Sequence, residues 1–304
     1  MKQHANAMLM ASFAADALSL GAHWIYDTNE IKEKFNRVDG YFQPLPESYH
    51  QTKVKGDFTH YGDQTLLLLE ALSETSSFEL DRFSRMWRSR MADYTGYKDH
   101  ATKTTLSNLS DGASAETAGS ASTDLGGASR IAPLAYLYCN SLNELVGSSR
   151  QQSAMTHNDP MVVEAAEFFA RLVYLVLHGE APKNAADKAV SDMGQPAALI
   201  KGIEKALSSV PDNTIDTIGR FGQSCGIPAA FPSVMHLIFK FEMDLKTALV
   251  ENVMAGGDSA ARGMLAGMVL GAHHGDDALP AHWLSEMSHL STIRTLTGKI
   301  NIQP

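Results

Sequence analysis

Cysteine is nearly missing from this chain: Cys139 and Cys225 are the only two in 304 residues. Two isolated thiols can build neither a disulfide framework nor a zinc ribbon, so they read as buried thiols in a reducing, cytoplasmic protein. Basic charge is also short, with 25 Lys and Arg against 34 Asp and Glu and a net charge of −9. The clustered Lys and Arg that a phosphate backbone requires are absent, which argues against nucleic acid as a partner. Beyond the N-terminal segment, no apolar run reaches the roughly 18 charge-free residues of a membrane span, so no membrane partner is expected. Period-two alternation with β-branched residues is almost absent, as are internal repeats and any compositional boundary.

What is present is helical periodicity. Apolar residues recur at 3.6-type spacing over 66–73, 81–94, 161–178, 196–208, 231–241, 245–254 and 259–274. The expected class is all-α, and 44% apolar content over 304 residues is enough for a substantial core. The N-terminus, with a Lys ahead of a Met/Ala/Leu run, has the outline of a secretion signal, but Asp16 interrupts it. Met8, Leu9, Phe13, Ala17 and Leu20 fit a first helix of the folded protein instead. Asp159 before Pro160 reads as an N-cap with a first-turn proline, and Gly275 after His273 and His274 as a helix stop. Gly263, Gly267 and Gly271 recur every fourth residue, a smooth ridge for a close helix crossing. The Ser/Thr/Gly/Ala-rich stretch 102–129 reads as a long loop, and such loops are often part of a binding site.

Two acidic loops carry the chemistry. GDFTHYGDQTLLLLEAL (56–72) and AGGDSAARGMLAGMVLGA (255–272) each place an aspartate, Asp63 or Asp258, where an apolar helix is about to begin. Helix N-termini carry unpaired N–H groups, so two such ends can converge on one cation or polar ligand. The alternative is that both aspartates are simple N-caps, each contributing about 1 kcal/mol. His60, three residues from both Asp57 and Asp63, is a candidate general base or oriented ligand. Asp16, within a helix among small residues, is expected to answer a cap, a metal-bound water or an Arg.

The ordered strings AADALSLGAHW (14–24), YGDQTLLLLEAL (61–72), STDLGGASRIAPL (122–134), THNDP (156–160), GGDSAARGMLAGMVLGAHHG (256–275) and LPAHW (279–283) resemble the ADP-ribosylglycohydrolase family over nearly the whole chain. Within it, HWIYD, GDFTHYGDQ and STDLGGASR are similar to the branch of jellyfish J-type lens crystallins and their enzyme-like relatives. The resemblance implies one all-α domain over 1–304. It also implies a central cleft in which two magnesium or manganese ions position ADP-ribose while its glycosidic link is hydrolysed. In that pattern the first loop reads Thr-Asp-Asp-Thr, where this chain has Gly62, Asp63, Gln64 and Thr65. The last reads Gly-Gly-Asp-x-Asp-Thr, where it has Gly256, Gly257, Asp258, Ser259, Ala260 and Ala261. His23 stands at the place of a family glutamate.

With those ligands missing, magnesium or manganese is expected to bind at most weakly, through Asp63 and Asp258, because a two-ion site needs carboxylates to offset its charge. The resemblance further assigns Ser122, Thr123 and Asp124 to the diphosphate side, with Arg130 bracing that loop. It places His157 near the adenine, and Gly256 and Gly257 beside the substrate. The expectation is a hydrolase of an N- or O-glycosidic link of ADP-ribose or a related ribosyl compound, acting through Asp63, Asp258 and His60 on a small-molecule or ADP-ribosylated substrate. A non-catalytic, crystallin-like or nucleotide-binding member of the same fold is the alternative.

Overall fold

Helix follows helix through this computed structural model, which describes residues 1–275 and 278–302. The order is α1 (Lys2–Ser19), α2 (Thr28–Phe35), α3 (His60–Thr75), α4 (Leu80–Ala92), α5 (His100–Ser110) and the short α6 (Gly126–Ser129) and α7 (Ala132–Leu137). There follow α8 (Leu142–Ala154), α9 (Pro160–Leu177), α10 (Pro182–Asp192), α11 (Ala197–Ser209), α12 (Thr214–Phe221), α13 (Ile227–Lys240) and α14 (Leu245–Met254). The last three are α15 (Ser259–His274), α16 (Ala281–Glu286) and α17 (Leu290–Thr297). No strand forms among the described residues; two isolated bridges, Ser120 with His157 and Asp124 with Gly226, are the only β-type pairings. The all-α expectation holds.

The centre of the molecule is set by small side chains. Every residue of α15 from Ser259 to Ala272 is buried, Arg262 among them, and the rest of the helix is almost wholly apolar or small. Its glycine ridge lies on the alanines of α1: Gly263 faces Ala15, Gly267 faces Ala11, and Gly271 faces Ala11 and Ala7. The order of these contacts makes the two helices antiparallel. A Cβ on Gly267 would stand 2.6 Å from the Ala11 carbonyl oxygen, so the axes are closer than ordinary side chains allow. By length and composition residues Lys2–Ala22 could cross a bilayer, but 89% of the most apolar 18-residue stretch within them is buried inside the fold. Residues 2–19 are therefore a core helix, as Asp16 indicated.

Caps fall as expected at α9, where the Asp159 carboxylate accepts from Met161 N at 2.9 Å, and at the end of α15, where Gly275 takes φ 82°. Two boundaries differ from expectation. α3 begins at His60, ahead of the apolar run, because Thr59 caps it by accepting from Tyr61 N at 3.2 Å; Asp63 thus lies inside the first turn and is not the cap. The stretch 102–129 is not all loop, since α5 occupies it up to Ser110, capped by Asp99 through Thr102 N at 2.6 Å.

The crossing generates a contrast in unfolding free energy. Gly267→Ala should destabilise by about 1–3 kcal/mol, since the new methyl meets a backbone carbonyl that cannot yield. Gly147→Ala, exposed within α8 with nothing near its added Cβ, should stabilise by roughly 0.5–1 kcal/mol. Urea unfolding of both variants checks this, and equal effects would refute the close crossing.

Candidate functional site

Antiparallel packing brings the C-terminal end of α1 to the N-terminal end of α15, and one buried carboxylate ties α3 to the same place. Asp16 accepts from Thr59 N at 2.7 Å and from Thr59 Oγ1 at 2.6 Å, so it answers a cap. Burial outweighs those bonds and pushes its pKa up to about 6. Asp16 also fills the space beside Gly62, where a Cβ would stand 2.3 Å from Asp16 Oδ2 and 2.7 Å from Phe58 Cβ. A threonine at position 62 has no room.

Asp258 is positioned from two sides. Trp24 N donates to Gly257 O at 3.0 Å and Gly257 N to Ile25 O at 2.8 Å, stitching the chain after α1 to the turn before α15. That turn needs left-handed backbone at Gly256 and Gly257, with φ 72° and 66°, and a Cβ on Gly257 would stand 2.2 Å from Gln223 O. Asp258 then caps α15 through Ala261 N at 3.5 Å, and its Oδ1 lies 3.6 Å from His23 Nε2. Its Oδ2 is buried with no partner. Asp124 and Cys225 complete a cluster in which one ligand-capable atom of each lies within 4.8 Å of the others. Backbone pairing builds it: Leu125 N donates to Cys225 O at 2.8 Å and Ile227 N to Thr123 O at 3.0 Å. Asp124 accepts from Gly126 N at 2.8 Å and from the Tyr61 hydroxyl at 3.3 Å. Burial, reinforced by Asp124, pushes the Asp258 carboxyl up to about 8 even though Arg262 works against it. Burial and the same two carboxylates push the Cys225 thiol up as well.

Beside this cluster three buried histidines, His23, His50 and His60, bring ligand-capable nitrogens within 4.8 Å of one another. None of their six ring nitrogens has a hydrogen-bond partner. Each buried unsatisfied polar group costs about 1–3 kcal/mol, so the arrangement is not a by-product of packing. Burial lowers His23 well below the usual histidine range and His50 to about 3, with neighbouring His60 adding to both effects. Trp24, held at φ 65°, stacks on His23 at 4.4 Å and meets Tyr97 edge-on at 5.0 Å.

Asp63 joins neither cluster. Lys53 and Tyr94 both donate to its Oδ2, and it lines a different cavity, of about 440 Å³, with Glu70 and Tyr94. Within 4.8 Å, Asp258 is met by Asp124 and Cys225, and Asp63 is not in that group. His60 pairs with neither Asp57 nor Asp63. Its Nε2 lies 3.6 Å from Asp99 Oδ2, while the Asp57 carboxylate accepts from Val54 N at 3.0 Å. Burial opposes ionisation of Asp99, but His60, His157 and Thr102 together hold its carboxyl well below the usual range.

Ser122 is half-buried and Thr123 exposed, at the lip of the Asp124 turn, where Ser122 Oγ accepts from Asp124 N at 3.3 Å. His157 is buried, with Nδ1 2.9 Å from Thr156 Oγ1 and Nε2 unpartnered, and burial lowers it to about 4. Arg130 braces this region from behind, donating to Gln64 and Thr156.

The residues present do not fit a two-ion magnesium or manganese cluster. The Gln64 amide oxygen is spent on Trp87 Nε1, at 2.8 Å, and on Arg130. Ala260 and Ala261 form an apolar cluster with Tyr61 and Met264 where oxygen ligands would be needed. Sequence reading missed His50, Asp99, Tyr26 and Cys225 as neighbours of the site. Tyr26 lies in the HWIYD string but the other three sit in no recognisable motif, and Cys225, expected to be buried, is only half-buried.

Comparison with known proteins matches residues 1–303 to the ADP-ribosylglycohydrolase family. Crystallin J1A of Tripedalia cystophora is 25% identical over 305 aligned residues, covering 94% of this chain and 92% of the relative. The ADP-ribosyl-[dinitrogen reductase] glycohydrolase of Rhodospirillum rubrum is 29% identical over 136 residues, 45% of this chain and 41% of that protein. A solved structure described as an ADP-ribosylglycohydrolase-related protein complex superposes with a TM-score of 0.78 at 21% identity, covering 98% of this chain and 97% of that one, a likeness of fold.

Asp258 makes stability depend on pH in a defined direction. The folded chain keeps its proton up to about pH 8, whereas the unfolded chain releases it near pH 4. The folded state therefore binds the extra proton, and stability present below about pH 4 is lost as pH rises toward 8. Asparagine caps a helix as well as aspartate does. In metal-free protein, the melting temperature of Asp258→Asn should accordingly gain on the wild type between pH 5 and 8. Parallel pH profiles would refute a protonated Asp258.

Proposed function

The chain belongs to the ADP-ribosylglycohydrolase family, and from that premise we propose that it hydrolyses an N- or O-glycosidic link of ADP-ribose or a related ribosyl compound, with Asp258 and Asp124 as its working carboxyl pair. The observation that carries this reading is their convergence within 4.8 Å, with one oxygen of Asp258 buried and unpartnered. A carboxyl that burial keeps protonated, set beside a second carboxyl, can divide acid and counter-charge roles with it.

Asp258 donates its proton to the leaving nitrogen or oxygen as the bond to ribose C1 breaks. Asp124, fixed by Tyr61 and Gly126 N, faces the positive charge that develops on the sugar. Water then bonds to C1, and its proton restores Asp258. Ser122, Thr123 and the Gly256–Gly257 turn surround the diphosphate and ribose, and His157 lies on the adenine side. Tyr26 and Tyr49, 52% and 61% exposed, offer faces on which the base can stack. Asp63, neutralised by Lys53, and His60, held against Asp99, are positioning residues in this scheme. Magnesium or manganese is at most weakly held, and no step runs through it.

The non-catalytic reading has its own support in the similarity to crystallin J1A and in the apolar Ala260–Ala261 pair. Release of ADP-ribose from an ADP-ribosylated protein, measured in chelator, separates the two. Turnover should appear in the wild type, and Asp258→Asn should lower kcat by about 10²–10⁴-fold with KM little changed. Absence of both turnover and ADP-ribose binding in the wild type would leave the crystallin-like role.

A further inference from the structure

We propose that His23, His50 and His60 form a binding site for one divalent transition-metal ion of the zinc type, ligated by nitrogen and adjacent to the carboxylate pair. The three imidazoles come from three chain segments: the residues after α1, the loop between α2 and α3, and the first residue of α3. Nothing in local sequence requires them to meet. They do so in the interior, at 3%, 1% and 1% exposure, with no hydrogen bond to any ring nitrogen and only the Nε2 atoms of His23 and His60 facing a carboxylate. Buried polar atoms in folded proteins are almost always satisfied, so three imidazoles with open nitrogens point to a ligand that takes one nitrogen from each.

The geometry is that of a ligand set slightly relaxed from closure. A metal–nitrogen bond of about 2.0–2.1 Å, with the ring centre about 1.1 Å further out, separates ring centroids by about 5 Å in tetrahedral ligation. The observed separations are 5.4 Å for His23 and His50, 5.7 Å for His50 and His60, and 6.3 Å for His23 and His60. Histidines that ligate metals are commonly oriented by a carboxylate on the far nitrogen, and two such carboxylates are in place. Asp258 lies 3.6 Å from His23 Nε2, and Asp99 lies 3.6 Å from His60 Nε2.

Imidazole donors suit zinc, cobalt, nickel or copper and disfavour magnesium. Three protein ligands leave a fourth position open, the pattern of zinc sites that exchange a ligand. A cavity of about 210 Å³ bounded by His23, Trp24, Tyr26, Glu30 and Tyr49 provides the entry path.

Cobalt titration of the metal-free full-length protein tests the assignment, with zinc as competitor. One equivalent of cobalt should bind, giving visible ligand-field absorption that zinc abolishes. His50→Gln and His60→Gln should each weaken binding at least about tenfold, while His178→Gln and Cys225→Ser leave it unchanged. Wild-type protein carrying ¹⁵N-histidine needs no variant: zinc should shift the ring signals of three of the 12 histidines. Three results would each overturn the proposal: no cobalt or zinc binding, undiminished affinity in His50→Gln, or binding lost in Cys225→Ser with a thiolate charge-transfer band. The last places the ion with Asp124 and Asp258 instead. Turnover in chelator plays no part in this titration, so the hydrolase reading and the metal site stand or fall separately.

Discussion

The close antiparallel contact of α1 with α15 is the constraint on which the rest depends. Glycines at 263, 267 and 271 let the two backbones approach until only alanine fits between them. That contact aligns the end of one helix with the start of the other, so that His23 and Asp258 meet although they come from opposite ends of the chain. A bulkier ridge would separate the helices and with them the two halves of the cleft. Packing density and site geometry are therefore one property here.

Buried charge is managed locally around that crossing. Asp16 spends its carboxylate on Thr59, which starts α3 and orients His60 and Tyr61 at its first turn. Arg262, wholly buried, holds the α14–α15 turn together by donating to Asn252, Gln223 O and Gly256 O, and its charge partly offsets Asp258. Where the family pattern concentrates oxygen ligands, this chain has Gly62, Gln64, Ala260 and Ala261. The structure gives them three other uses: room for Asp16 at Gly62, an acceptor for Trp87 and Arg130 at Gln64, and an apolar seat for Tyr61 at the two alanines. The cleft stays polar but is polar in other places, at Asp124, Asp258 and the three histidines.

The all-α class, the caps at Asp159 and Asp258, the stop at Gly275 and the glycine ridge were legible in the sequence. Each rests on interactions among residues close in the chain or on a repeat that survives in one helix. The start of α3 was not, because the cap at Thr59 is fixed by Asp16 from another helix. Nor was the pairing of His60, whose nearby Asp57 and Asp63 bond Val54 N and Lys53, leaving Asp99 to face it.

Sequence by itself determined the fold family, through six ordered motifs, and the identity of Asp258 as a helix-opening carboxylate, through its place ahead of an apolar run. Tertiary structure alone decided which groups meet it. Asp124, Cys225, His23 and His50 lie on separate segments with no shared periodicity, and their convergence follows from how helices pack, not from spacing along the chain. The physical reason is that caps and ridges are short-range in sequence, whereas a cleft between helices is lined by whichever side chains the crossings leave facing one another.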